Sequence, residues 1–299
     1  MAIKQKIIFI FLDGFGLGKK TPLNPIYTFK LFTELLDEPL VDGIDIRSND
    51  TVVKGIDACL DVDGIPQSAT GQIALFCGVN GAKLLGYHRP AFPCKLLRQQ
   101  IDQGNIFLNT VNSGKSATFA NAYRNEYFER VKSGDGKKSV TTLCCLSAGV
   151  TLRGIDQYNN SEAVLWDITG SYTQRTVDYP INGISPQKAG DIIGALSQKH
   201  DLVVYESFLP DFLGHSCDIN QAETLCSTLN CFIESLLKNL DGNTTVLITS
   251  DHGNFEDLST RSHTKNPVPL FARGAAADPF YSAESIIDVP KIMLDILLK

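Results

Sequence analysis

The 299-residue chain has little of what most quickly betrays a function: one tryptophan, two methionines and five histidines. Eight cysteines, Cys59, Cys77, Cys94, Cys144, Cys145, Cys217, Cys226 and Cys231, never stand in Cys-x-x-Cys spacing. That excludes a cysteine zinc cluster and a dithiol redox motif. There is no basic excess, since 27 Lys and Arg face 33 Asp and Glu for a formal charge of −6. A nucleic-acid scaffold or a polybasic membrane patch needs the opposite balance, so neither nucleic acid nor membrane is an expected partner. Long apolar runs are missing too. Ile7–Leu12 is ended by Asp13, far short of the ~18 apolar residues of a span. Lys4 and Lys6 before that run faintly suggest a signal peptide, but the apolar part is too short, and a buried strand is the better reading. With no secretion signal, reduced thiols and a cytoplasmic location are expected.

Hydrophobic residues make up 43% of the chain and charged residues 20%, enough apolar chain to build a core without covalent staples. Apolar runs at Ile7–Leu12, Ala117–Ala120, Leu202–Tyr205, Thr245–Ile248 and Val268–Phe271 read as strands. Helical patterns cover Gln72–Val79, Ser185–His200, Ile219–Leu240 and Ile286–Leu298. Ser185-Pro186 is a typical helix start. Strands alternating with helices predict an α/β fold, a three-layer α/β/α sandwich around a mainly parallel sheet. Residues 123–182 are more polar, with a strand-like Ala163–Ile168. They read as a small cap inserted between the core segments 1–122 and 183–299.

Function in such sheets gathers at the carboxyl ends of the strands. Three expected strands lead there into aspartates: Asp13, Asp211 and Asp251. Three of the five histidines accompany them, His215, His252 and His263. A lone strand-end Asp is usually a turn residue, and a lone His usually makes a structural hydrogen bond. Their coincidence is what carries weight. Mixed oxygen and nitrogen donors suit Zn²⁺ or Mn²⁺ better than Ca²⁺. Six such ligands exceed the needs of one tetrahedral ion, so two divalent ions fit better. Ser68, at the expected amino end of a helix, offers a seventh ligand and a nucleophile. Thr70 is a rival hydroxyl two residues on.

Five segments, Phe11-Leu12-Asp13-Gly14-Phe15-Gly16, Pro66-Gln67-Ser68-Ala69-Thr70-Gly71-Gln72, Pro210-Asp211-Phe212-Leu213-Gly214-His215, Thr249-Ser250-Asp251-His252-Gly253-Asn254 and Ser262 to Pro269, occur in this order. Together they resemble the metalloenzyme domain of the alkaline phosphatase superfamily, in the branch of cofactor-independent phosphoglycerate mutase and phosphopentomutase. The resemblance covers roughly the first and last 100 residues. It implies that Asp13, Ser68, Asp251 and His252 bind one metal and that Asp211, His215 and His263 bind the other. It also implies that Ser68 becomes phosphorylated. Gln72 stands where the mutases often have His, and the chain lacks room for the large inserted domain of the glycerate mutase.

Two glycine-rich stretches mislead. Gly14-Phe15-Gly16-Leu17-Gly18 lacks the dinucleotide spacing because position 19 is Lys, and Gly114-Lys115-Ser116 lacks the first glycine of a phosphate-binding loop. The expected activity is two-metal phosphotransfer on a small phosphorylated substrate, as a phosphatase or phosphomutase. A phosphodiesterase or a degenerate phospho-ligand binder is the alternative. Candidate substrate contacts are Arg89 beside His88, Arg124, Arg153 and Arg175 in or beside the cap, and Asn254.

Overall fold

The computed structural model describes residues 4–133 and 137–299. Among the described residues nine strands form: β1 (Lys6–Leu12), β2 (Asp45–Arg47), β3 (Thr51–Ile56), β4 (Ala117–Phe119), β5 (Ala122–Tyr123), β6 (Arg153–Gly154), β7 (Leu202–Ser207), β8 (Thr244–Thr249) and β9 (Val268–Gly274). Seven make one sheet in the order β2-β3-β9-β8-β1-β7-β4, and β5 pairs with β6. The run β8-β1-β7-β4 is parallel, as the alternation of elements predicts. The wing β9-β3-β2 joins it through the antiparallel pair β8-β9 and is antiparallel within itself, so the sheet is mixed. The strands β2 and β3 carry Asp45, Arg47 and Lys54, which break the apolar runs that mark the central strands.

In β1, Ile7, Phe9 and Phe11 face one core cluster and Ile8, Ile10 and Leu12 the other, all inaccessible to solvent. Burying both faces explains why this strand is a continuous apolar run. Each of these side chains contributes ~1.5–3 kcal/mol. One face is covered by helices that include Ser68–Cys77, Val140–Ser147 and Val289–Leu297, the other by Pro186–Ser197 and Ile219–Lys238. This is the α/β/α sandwich. Ser185 caps its helix by accepting from Lys188 N–H at 3.1 Å, with Pro186 in the first turn. The closing helix begins at Val289, after a 3₁₀ turn at Asp278–Ser282. Ala163–Ile168 forms no strand. Its apolar side chains are buried, but its backbone makes only an isolated bridge between Val164 and Asn121. Within 123–182, Val140, Cys144 and Cys145 pack into the same core cluster as Phe76 and Phe107. No described helix is long and apolar enough to cross a membrane.

Candidate metal centre

The parallel strands β1, β7 and β8 end side by side, so their exits converge. Asp13 follows β1, Asp251 and His252 follow β8, and the helix Leu209–Ser216 after β7 presents Asp211 and His215 one turn apart. The loop between β8 and β9 returns His263. The backbones meet closely. Asp211 N–H donates to Asp13 C=O at 3.0 Å, and Phe255 N–H to Gly14 C=O at 2.9 Å. Gly14, at φ +70°, is required here, because a Cβ would lie 2.6 Å from Asp211 Cβ. A Cβ on Gly71, in the serine helix, would lie 2.5 Å from the Asp251 carbonyl oxygen.

Asp251 and His252 are fully buried, and Asp13 is 7% exposed. Ser68 opens the helix Ser68–Cys77, whose amino end has no side-chain cap. Its Oγ lies 3.1 Å from His252 Nε2. Gln72 donates to Asp251 at 3.2 Å and stands 3.5 Å from Asp13. Asp13 Oδ1 lies 3.3 Å from His252 Nε2 but off hydrogen-bonding geometry, and it accepts no bond from the described residues. Burial pushes the Asp251 carboxyl well up, and the charge of Asp13 adds to this. Burial disfavours a charged His252, yet Asp251, Asp13 and Asp211 outweigh it and push the imidazole up to about 10.

The second group is more open. His215 Nδ1 donates to Arg261 C=O at 2.6 Å, and His263 Nδ1 to Pro66 C=O at 2.9 Å. Those bonds fix the tautomer, so each neutral ring directs its Nε2 lone pair inward. The two Nε2 atoms are 3.2 Å apart, with Asp211 oxygens at 3.3 and 3.4 Å. Lone pairs cannot oppose one another at that distance without a proton or a metal cation between them. Burial, and then His252, whose ring stacks on His263 at 3.8 Å, lower the pKa of His263. A metal cation between the rings would satisfy both lone pairs. Two groups of metal-type donors converge, Asp13 with Asp251 and His252, and Asp211 with His252 and His263. His252 belongs to both, and the donor chemistry fits divalent ions.

The other expected residues fall differently. Thr70 is buried, donates to Gln67 C=O at 3.1 Å and accepts from Arg89 N–H at 3.2 Å. The Arg89 side chain turns to Phe92 C=O and the Tyr87 hydroxyl. Arg124 binds Thr176, Arg153 binds Thr118 and Phe119 C=O, and Arg175 lies over the Tyr172 ring. Asn254 is buried and donates to Asp211 Oδ1 at 2.7 Å, so it orients a ligand-type carboxylate. Sequence reasoning missed Glu256. This buried carboxylate accepts from Gly16 N–H at 3.0 Å, Asn254 N–H at 2.8 Å, Asn266 at 3.0 Å and the Thr264 hydroxyl. It ties the loop that carries Asp13 to the β8–β9 loop that carries both His252 and His263. Its place two residues after Asn254 was the one available signal.

Residues 5–298 match the Metalloenzyme superfamily. The chain belongs to that family. Among curated relatives it is similar to a 2,3-bisphosphoglycerate-independent phosphoglycerate mutase of Desulforudis audaxviator, 32% identical over 125 residues, covering 38% of this chain and 24% of the relative. A mutase of the same name from Malacoplasma penetrans is 26% identical over 289 residues, covering 92% of this chain and 55% of the relative. The matched part spans from about a sixth to about half of the length of the curated relatives. Its fold is similar to that of alkaline phosphatase from a psychrophilic Shewanella (TM-score 0.59, 14% identity, 98% of this chain and 100% of that one). It is also similar to the alkaline phosphatase of the Antarctic bacterium TAB5 (TM-score 0.58, 14% identity, 99% and 98%). At such identity the likeness concerns the fold alone.

Proposed function

We propose that the chain is a metal-dependent phosphotransfer enzyme that acts on a small phosphate ester through a phosphoserine at Ser68. The observation that carries this is the pair of facing imidazole lone pairs, His215 and His263, set among carboxylates that meet no Lys or Arg among the described residues, beside a serine hydroxyl at a helix amino end. Two divalent ions, manganese or zinc, held by Asp13, Ser68, Asp251 and His252 and by Asp211, His215 and His263, would supply Lewis acidity and charge neutralisation. Ser68 Oγ attacks phosphorus. Ser68 gives up its hydroxyl proton to water, the Oγ–phosphorus bond forms, the ester P–O bond breaks, and the leaving alkoxide keeps the electron pair and takes that proton back from water. Water or a second substrate hydroxyl then takes the phosphoryl group and restores Ser68. Thr70 is disfavoured as nucleophile because both sides of its hydroxyl are engaged. Hydrolysis is favoured over isomerisation because His215 is 44% exposed, which leaves the group open to water. A degenerate binder is disfavoured because all seven expected residues are present and converge.

Incubation of the manganese-loaded protein with a panel of phosphate monoesters, separating free phosphate from isomerised ester, tests the reading. Free phosphate is the expected product. An isomerised ester would make the enzyme a mutase, and turnover of a diester alone would make it a phosphodiesterase. No turnover of any ester with either metal would overturn phosphotransfer.

A further inference from the structure

Beside the metal centre lies a cavity of ≈ 570 Å³ that none of the metal-type residues lines. Its volume is within the range of small-molecule sites. Trp166 and Phe208, stacked at 5.0 Å and 20°, line both this cavity and the cleft that contains Asp211 and His215. The two spaces therefore share a wall. Tyr123 and Tyr127, stacked at 4.2 Å and 12°, form another part of the lining. Both tyrosine hydroxyls are taken up by Thr142, so what these residues offer a ligand is ring surface.

Glu206 also lines the cavity, at the carboxyl end of β7, and is 3% exposed. Asn121 engages its backbone through both N–H and C=O. Among the described residues no hydrogen bond of normal geometry reaches its carboxyl group. Neighbouring Thr141 has a buried hydroxyl that itself lacks a partner. Burial, and next the charge of Asp13, push this carboxyl up to about 8. The Thr141 hydroxyl is the neighbouring donor and opposes that rise, and a buried carboxyl group this sparsely supplied is costly unless a ligand completes it. Exposed Arg130 and Lys137 stand at the rim and draw in an anion.

We infer that this cavity receives the alcohol part of the substrate, and that this part is a flat nitrogenous ring bearing an N–H or amino donor, as in a nucleoside monophosphate. The aromatic residues take the ring faces, and Glu206 accepts from the ring donor as the specificity-determining residue. The phosphoryl group reaches the metal centre past Trp166 and Phe208. The inference rests on the phosphotransfer reading for the direction of the ester, but the binding it describes is measurable without turnover.

Trp166 is the one tryptophan of the chain, so its emission reports on the shared wall. Adenosine, guanosine and cytidine are titrated into the manganese-loaded protein, with ribose and glycerol as ringless controls. At least one nucleoside is expected to give a saturable change that the controls do not. Glu206→Leu, which keeps the bulk and removes the acceptor, and Tyr127→Ala are each expected to weaken it about tenfold, the scale of one lost hydrogen bond or stacking contact. The helix Asn125–Lys132 that bears Tyr127 has no fully buried residue, so Tyr127→Ala tests the cavity even if Glu206→Leu fails to fold. No response to any nucleoside, an equal response to ribose, or affinities unchanged in the variants would overturn the inference. Turnover of ringless phosphates with no nucleoside response sinks the cavity and leaves phosphotransfer standing. Nucleoside binding with no ester turned over does the reverse.

Discussion

The two ends of the central strands treat their acids in opposite ways. At the amino ends, Asp201 meets Lys4 at 2.7 Å and Asp241 meets Lys6 at 2.8 Å. At the carboxyl ends, Asp13, Asp211 and Asp251 meet no Lys or Arg among the described residues, only histidines. The amino ends are electrostatically complete. The carboxyl ends gather donors of the kind that divalent ions take. Both ends are built from the same strands, so the fold does not impose the difference. It lies in which residue follows each strand.

The strongest way to sharpen that contrast is Ser68→Ala. Turnover should fall at least about a thousandfold, as for other covalent nucleophiles, while metal content by elemental analysis stays the same. If Thr70→Ala caused the loss instead, the assigned nucleophile would be wrong. Stripping the metal comes next. A ligand at a hundredfold excess over its Kd adds about 2.7 kcal/mol, so chelator should lower the calorimetric Tm and manganese should restore it. A Tm indifferent to both would break the comparison outright. Asp211→Asn should then lower the metal content from about two ions per chain to about one, given that each site depends on its own carboxylate. Equal loss from both sites would refute the division of ligands.

Two smaller effects follow. Glu256→Gln should cost about 2 kcal/mol in denaturant unfolding, because a charged acceptor shared by two loops becomes a neutral amide. Metal affinity should fall with it. At the opposite end, Lys6, the Thr244 hydroxyl and the Asn243 N–H hold the Asp241 carboxyl down at about 2, against the opposing pull of partial burial. A carboxylate depressed in the folded state stabilises fully above its unfolded value, near 4, and loses that contribution as the pH falls through 2. Asp241→Asn should therefore flatten the acid limb of the Tm profile slightly, by less than ~1 kcal/mol for a pair that solvent still reaches. An unchanged profile would remove Asp241 from the account.

The central strands and their polar exits were legible because burial on both faces writes a continuous apolar run, and the following Asp stands out against it. β2 and β3 were not, because short strands in a half-exposed antiparallel wing alternate apolar with charged residues. Ala163–Ile168 has a strand's composition, but its burial comes from loop packing without a partner strand. Glu206 and Glu256 escaped notice for a common reason. Their roles depend on partners far along the chain, and a carboxylate reads as surface until those partners are placed. Glu206 did leave a trace, as a charge closing the apolar run Leu202–Tyr205. The arginines considered as phosphate contacts are mostly engaged elsewhere, so charge near a motif in sequence was a poor guide to charge near it in space.

The antiparallel turn of β9 has a consequence for how the protein matures. β8 and β9 pair as neighbours in the chain, so His252 and His263 are delivered by one locally closed loop. Ser68 meets His252 across 184 residues, and Gly14 meets Asp251 across 237. Contacts of such separation form late in folding because they close the longest loops. The chain can assemble a histidine pair early, yet the full donor set exists only once its most distant segments have joined. Tight metal retention thereby becomes a certificate of completed folding.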